Sequence, residues 1–222
     1  MAQKNNEKVI SLPEKDEKLA EIVGIILGDG GIYKNIGLGM YELRIAGSSD
    51  TDNEYLMTYV KPLIEKAFNV NVRVYRQKKK RCIHLIAQGK NIVSFLEKIG
   101  LKEGNKIKNN VSIPEWVFES ESLLKSCIRG LIDTDGTVLP ITGRNYSYIW
   151  FSCGIPALRE DFDKAMKALK YRTSQWNFRP NRTPEKYIGD KPSIFKYSQE
   201  IGFNNPKHIK RFNVPQGYAS LV

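Results

Sequence analysis

The residues of this chain best placed to do chemistry close two short apolar runs that each end in Asp-Gly. Val23-Gly-Ile-Ile-Leu-Gly-Asp-Gly30 matches Arg129-Gly-Leu-Ile-Asp-Thr-Asp-Gly136, with Asp29 falling on Asp135 at an offset of 135 − 29 = 106 residues. Both runs space small residues four apart, Gly24 with Gly28 and Gly130 with Thr134. On a helix these share one face and let two backbones approach closely. Two such helices packed along that face would bring Asp29 and Asp135 together. A carboxylate at a helix C-terminus is disfavoured by the helix dipole, and two adjoining carboxylates repel; a shared proton or a bound cation relieves both. Mg²⁺, a hard cation, takes the carboxylate, carbonyl and water oxygens that such helix ends can supply. Carboxylates in a basic protein point to a divalent metal acting on phosphodiesters. Asp133 aligns with Leu27 and points away from Asp135, so it reads as a local hydrogen-bonding or solvated residue.

The composition agrees with a polyanionic partner. The 222 residues carry 35 Lys+Arg against 24 Asp+Glu, a formal net charge of +11, which makes nucleic acid the first partner to consider. With 41% apolar and 10% aromatic residues the chain can fill a core, which excludes disorder for most of it. His84 and His208 are the only histidines and no two cysteines lie close in sequence, which excludes zinc fingers, HExxH metalloproteases and histidine-based nucleases. There is no GxxxxGK[ST] loop and no strand-linked GxGxxG, so nucleotide-triphosphate and dinucleotide chemistry is unsupported. Cys82, Cys127 and Cys153 are odd in number and far apart, as expected of reduced thiols. The opening residues have no hydrophobic export signal, and Ile22 to Leu27 is far short of the roughly 20 residues a membrane span needs. The expectation is a soluble, cytoplasmic protein with no membrane partner, an organelle not being excluded.

A second repeat block fixes the organisation. Ile99-Gly-Leu101, Ile107-Lys108 and Pro114 parallel Ile201-Gly-Phe203, Ile209-Lys210 and Pro215 at offsets of 102, 102 and 101. This predicts an N-terminal arm at 1–18, repeats at 19–110 and 121–215, a linker at 111–120 and a tail at 216–222. Each repeat reads as α-β-β-α-β-β-α, an α+β fold. Helices are expected over Leu19 to Asp29 and Ser122 to Asp135, each closed by a glycine suited to the left-handed position, Gly30 or Gly136. Strands follow at Tyr41 to Ala46 and Tyr146 to Ser152, then amphipathic helices at Asn53 to Phe68 and Ala157 to Leu169. Next come a hairpin around Gln77-Lys-Lys-Lys80, an answering strand with Ser174, Trp176 and Phe178 on one side, and short closing helices at Ile92 to Ile99 and Ile194 to Ile201.

Ile128-Arg-Gly-Leu-Ile-Asp-Thr-Asp-Gly136 closely resembles the LAGLIDADG signature of homing endonucleases, and Ile22-Val-Gly-Ile-Ile-Leu-Gly-Asp-Gly30 resembles it more distantly, with Leu27 in place of the first signature acid. The resemblance spans both repeats. It implies a monomer of two pseudo-symmetric halves, joined at a helix seam, whose two curved antiparallel sheets form a saddle over DNA. It further implies Mg²⁺, with Mn²⁺ or Ca²⁺ as substitutes, held by Asp29 with the Gly28 carbonyl and by Asp135 with the Thr134 carbonyl. The implied reaction is hydrolysis of one phosphodiester on each strand of a long, nearly asymmetric duplex site, across the minor groove, leaving short 3′ overhangs. The family places a basic residue beside the metal before each closing helix. Lys90 and Lys191 are nearest, one register apart, with Gln88, Arg81 and Arg44 as alternatives.

Sequence recognition is assigned to the exposed strand faces, because a two-stranded ribbon fits the major groove. The expected readers are Arg73, Tyr75, Arg76, Gln175, Asn177 and Arg179, together with Arg44, while Lys78, Lys79, Lys80 and Arg81 meet phosphates. The rival readings are an intron RNA maturase or a non-cleaving nucleic-acid-binding protein on the same scaffold. A ribosome-associated basic protein would explain the charge but not the paired Asp-Gly ends. Intron or intein origin stays open, intron encoding being the first expectation.

Overall fold

The computed structural model describes residues 11–143 and 145–213. At its centre lie two helices. α1 (Glu17–Gly28) opens on Asp16, whose carboxylate accepts from the Leu19 N–H at 2.8 Å, and every residue from Leu19 to Gly28 is buried. A helix apolar on nearly all sides has to be enclosed, and α5 (Glu121–Asp135), capped by the Ser120 hydroxyl, supplies one wall. The small residues set the approach. A β-carbon at Gly24 would lie 3.0 Å from the Leu131 nitrogen, one at Gly130 would lie 2.9 Å from the Ile25 nitrogen, and one at Gly28 2.8 Å from Thr134 Cβ. The pairing runs upward along both helices, so they are parallel and end side by side.

Neither Gly30 nor Gly136 adopts the left-handed cap expected of it; Gly136, for one, is extended at φ −92°. Each helix passes directly into a strand, β1 (Gly30–Asn35) or β5 (Gly136–Pro140). Glycine is required there for room, since a β-carbon would fall 2.6 Å from Ile26 Cα in the first case and 2.9 Å from Ile132 Cα in the second.

In the first half, β1 pairs with β2 (Met40–Ser48), and β4 (Cys82–Gln88) joins β2 to β3 (Arg73–Gln77), giving an antiparallel sheet in the order β1-β2-β4-β3. Leu43 faces Ala87 and Ile45 faces Leu85 on the buried side, while Glu42 faces Gln88 and Arg44 faces Ile86 on the outer side. Between β2 and β3 runs one helical rod: α2 (Asn53–Tyr55), a π-helical turn (Leu56–Val60) and α3 (Lys61–Phe68). Pro62 has no N–H to return to Thr58, and the rod widens just ahead of it. A 3₁₀ turn at Lys78–Lys80 links β3 to β4, and α4 (Lys90–Lys98) closes the half.

The second half contains β5, β6 (Ser147–Ser152), α6 (Pro156–Ala168), β7 (Glu185–Ile188) and α7 (Lys191–Glu200), followed by α8 (Pro206–Arg211), which the periodicity did not predict. Its sheet runs β5-β6-β7. The expected strand through Ser174 and Trp176 survives only as a bridge between Asn177 and Glu185. Ser174 N–H donates to the Tyr187 carbonyl and Asn177 N–H to the Glu185 carbonyl, so three residues of one segment span two of the other. The extra residue breaks the ladder, and the Ser174 hydroxyl accepts the Tyr187 N–H at 3.1 Å.

The stretch expected as a linker is packed: Trp116 Nε1 donates to the Ile99 carbonyl at 3.0 Å and Ile113 N–H to Asp161 Oδ2 at 2.9 Å. Cys127 and Cys153 are buried, Cys82 is half-buried, and all three are free thiols. Among the described residues no helix is long and apolar enough to cross a membrane. The first ten residues of the expected arm, Pro215 of the second repeat block and the 216–222 tail lie outside the described residues.

Gly130→Ala should test the seam. Overpacking against backbone costs about 3 kcal/mol and better helix propensity returns about 1 kcal/mol. The net loss lowers the melting temperature by about 4–8 °C. Gly154→Ala, whose β-carbon would meet only Thr183 Cγ2 at 4.0 Å, should melt with the parent.

Candidate active site at the paired helix ends

Asp29 caps α1 and Asp135 is the last residue of α5, so the parallel seam delivers both carboxylates to one place. A β-carbon at Gly28 would stand 3.6 Å from the carboxyl carbon of Asp135. Burial pushes the Asp29 carboxyl up to about 7, and the charges of Asp135 and then Asp52 add to that push, against the pull of Lys106 and Lys207. Burial raises Asp135 as well, with the same two lysines opposing. Two carboxylates held where ionisation is unfavourable form a site that calls for positive charge.

Two ammonium groups already answer. Lys106 Nζ donates to the Leu27 carbonyl at 2.9 Å and to the Gly28 carbonyl, carbonyls that the end of a helix leaves without partners. Lys207 Nζ is 2.7 Å from Asp52 Oδ1, and Asp52 also accepts the Ser48 N–H at 2.9 Å. Burial alone would raise Asp52; Lys207 and the Ser48 N–H outweigh it and hold the carboxyl low. Lys106, Lys207 and Asp52 were not anticipated. The repeat offset of 102 sets Lys106 opposite His208 and Asn105 opposite Lys207, so the two lysines are not a matched pair in sequence.

The donor set fits a divalent cation. Among the described residues no group of three or more His, Cys, Asp or Glu forms a cage. The oxygens at hand are the carboxylates of Asp29 and Asp135 and the adjoining carbonyls of Thr134 and of Gly28, the latter shared with Lys106. Thr134 Oγ1 donates back to the Gly130 carbonyl at 2.8 Å, leaving its backbone oxygen as the group to offer. Asp133 belongs elsewhere. It is wholly buried, not solvated, and accepts the Asn204 N–H at 2.8 Å. Nearby, the buried Glu21 accepts from Tyr59, Asn204 and Arg129.

Lys90 and Lys191 open α4 and α7 as exposed residues, Lys191 lying 5.6 Å over the Tyr146 ring. The lysines whose charges bear on the acid pair are 106 and 207 instead. On the first sheet, Arg44, Arg73 and Tyr75 share the outer face. Arg76 does not: it pairs with Ile83 of the buried face and donates to Asn53 Oδ1 at 2.8 Å. Its neighbour Tyr75 pairs with His84, and in a strand consecutive residues face opposite ways. Lys79, Lys80 and Arg81 are exposed at the hairpin tip, Arg81 lying 3.2 Å from Asp50, while for Lys78 only the backbone is described. Gln175, Asn177 and Arg179 are exposed, with Arg179 3.5 Å from Glu185. The outer face of the second sheet is aromatic. Tyr148 and Tyr187 stack with ring centroids 5.1 Å apart, and Trp150 lies 4.6 Å from Tyr187.

Two parallel helices ending in adjoining carboxylates, each running into an antiparallel sheet, define the fold of the LAGLIDADG homing endonucleases, and this chain has that fold. Among solved structures it is similar to I-DmoI in complex with DNA and Ca, with a TM-score of 0.62 and 16% identity over 84% of this chain and 90% of that one. It is also similar to the homing endonuclease I-WcaI bound to its DNA recognition sequence, at a TM-score of 0.59 and 13% identity over 95% of this chain and 92% of that one. The N-terminal LAGLIDADG domain of DUF199/WhiA matches at a TM-score of 0.52 and 17% identity, covering 87% of each chain. No protein-family profile and no curated protein sequence matches the chain.

The raised carboxyl of Asp29 has a thermodynamic signature. An acid that keeps its proton in the folded state to about pH 7, but loses it near 4 when unfolded, makes stability fall as pH rises between those values. In chelator, Asp29→Asn should therefore raise the melting temperature at pH 8 by about 3 °C or more. The gain should vanish near pH 4. Equal melting of the two proteins at pH 8 would show that Asp29 ionises freely in the fold.

Proposed function

We propose that this chain is a divalent-metal-dependent DNA endonuclease. It would be an intracellular, intron-encoded homing endonuclease that cuts one phosphodiester on each strand of a long, largely asymmetric duplex site as a monomer, leaving short 3′ overhangs. The observation that carries this reading is the placement of the half-buried Asp29 and Asp135 side by side at the ends of two parallel helices. The DNA-bound I-DmoI and I-WcaI structures share the fold, and the I-DmoI complex contains Ca. Asp29, Asp135 and the carbonyls of Gly28 and Thr134 would hold Mg²⁺, with Mn²⁺ or Ca²⁺ able to substitute. The bound metal would polarise the phosphoryl oxygen and supply hydroxide at neutral pH.

The protein's own groups do the rest. The half-buried acids offer charge where less water competes than at an open surface, which strengthens their hold on a cation. Lys106 and Lys207 stand beside the pair and would offset the charge that develops on the phosphate. Lys90 and Lys191, at the openings of α4 and α7, remain the basic positions assigned by the family resemblance. The units 19–110 and 121–215 each bring one acid and one sheet, so each half would serve one strand. Arg44, Arg73 and Tyr75 on one face, and Gln175, Asn177 and Arg179 on the other half, would meet base edges. Arg76 stays a reader only at the rim, beside Asn53. Lys78 to Lys80 and Arg81 would meet phosphates.

Duplexes bound by the chain can be selected from the DNA flanking its gene or from a random pool. On these, Asp29→Asn or Asp135→Asn should reduce cleavage in Mg²⁺ by about a thousandfold, with affinity for the duplex kept within a few-fold. Undiminished double-strand cutting by either variant would refute the assignment. Replacing Lys78, Lys79 and Lys80 by Ala should weaken binding on all sequences and flatten its salt dependence by about 0.9 in slope for each lysine that meets a phosphate. An unchanged slope would place the hairpin tip off the DNA.

One observation favours a second reading, an RNA maturase or other non-cleaving binder: the Tyr148, Trp150 and Tyr187 face suits stacking on unpaired bases better than grip on duplex phosphates. Stimulated intron splicing without DNA cleavage would decide for it.

A further inference from the structure

Glu42 is an unusual residue to find on a face meant for a polyanion. It lies on the outer side of the first sheet, opposite Gln88, yet its side chain is only 4% exposed. Three donors cover it. Arg44 gives Oε2 both its Nε at 2.6 Å and its NH2 at 2.5 Å, Gln88 Nε2 donates to Oε1 at 2.5 Å, and Arg73 NH2 approaches Oε1 at 3.6 Å. A carboxylate with its lone pairs so occupied has little capacity left for DNA.

The consequence falls on Arg44. Its guanidinium carbon sits 4.9 Å over the Tyr33 ring, so one face is stacked while one edge is clamped by Glu42. A guanidinium has five N–H groups in a planar fork, and the clamp uses two. The three left are both hydrogens of NH1 and one of NH2, which touches only Met40 Sδ, a weak acceptor, at 3.9 Å. The side chain is 36% exposed, and this end of the fork lies outside the Glu42 clamp. Adjacent N–H groups on NH1 and NH2 match guanine O6 and N7 in the major groove. Holding a flexible arginine in that plane beforehand removes the ordering cost that binding would otherwise bear.

We propose that Glu42 is a specificity-determining positioning residue that locks Arg44 for two-pronged recognition of one guanine. This rests on the DNA-binding reading above and names which side chain makes it selective. Glu42 does not touch the base. It acts through Arg44, and the neighbouring Arg73 is held too loosely by it to share the role.

The full chain, its Glu42→Gln variant and its Arg44→Lys variant are each used to select duplexes from a randomised pool. The parent should enrich guanine at one base pair. Glu42→Gln keeps the size of the side chain but removes its charge and replaces one of its two accepting oxygens by a donor, so it no longer clamps Arg44 as the carboxylate does. Arg44→Lys keeps charge but not the fork. Both should lose about tenfold in preference at that same base pair while preferences elsewhere hold, and both should melt near the parent. An unchanged profile for Glu42→Gln, or an affinity loss equal on all sequences, overturns the inference and leaves DNA recognition standing. A parent with no sequence preference overturns both.

Discussion

Everything at the centre of this molecule depends on how near α1 and α5 can come to each other. Gly24 and Gly130 remove the side chains that would hold two helices at ordinary separation, and backbone then packs on backbone. Parallel packing puts both C-termini at one end, where dipoles and half-buried carboxylates accumulate negative charge. Lys106 satisfies the exposed carbonyls of α1, and Lys207, through Asp52, braces the other side. A slightly wider seam would separate Asp29 from Asp135 and let water between them. The acids would then behave as ordinary surface carboxylates.

The sheets are built out from that seam. Each helix ends by entering a strand without a loop, so the position of the first strand follows from the helix and the rest of the sheet follows by register. The Ala46 N–H donates to the Asp29 carbonyl, tying β2 to the same residue whose side chain faces the site. The buried Glu21 with the half-buried Tyr59, Arg129 and Asn204 joins α1, the π-helical segment, α5 and the chain ahead of α8. Removing one member of such a cluster would strand the others without partners.

Much of this was legible in the chain. The offset of 106 between Asp29 and Asp135 pointed to a pair of helices, and their four-residue spacing of small side chains pointed to the face on which they meet. What escaped was whatever breaks the repeat or depends on contacts across strands. Lys106 and Lys207 do similar work from unmatched positions. The third strand of the second half was sound in its alternation, but one added residue between Ser174 and Asn177 cost it the ladder. Arg76 belongs to an apparently uniform basic run, and only strand parity reveals that it faces the other way. Gln88 and Arg44 read in sequence as alternatives for the basic residue beside the metal, and only pairing across β2 and β4 shows them beside Glu42. The α8 start did carry a signal, Asn205 followed by Pro206, a side-chain cap ahead of a proline in the first turn.

The two sheets, though equivalent by position, now carry unlike surfaces: arginines organised by a carboxylate on one, stacked tyrosines and tryptophan on the other. Two identical subunits meeting about a dyad would have to present the same surface twice, and would favour a palindromic partner. Joining the halves through the packed segment around Trp116 lifts that obligation, since each surface can change without altering its counterpart. A molecule that complemented both faces of this protein would need no two-fold symmetry of its own, and the unlike surfaces would set the orientation in which the chain docked on it.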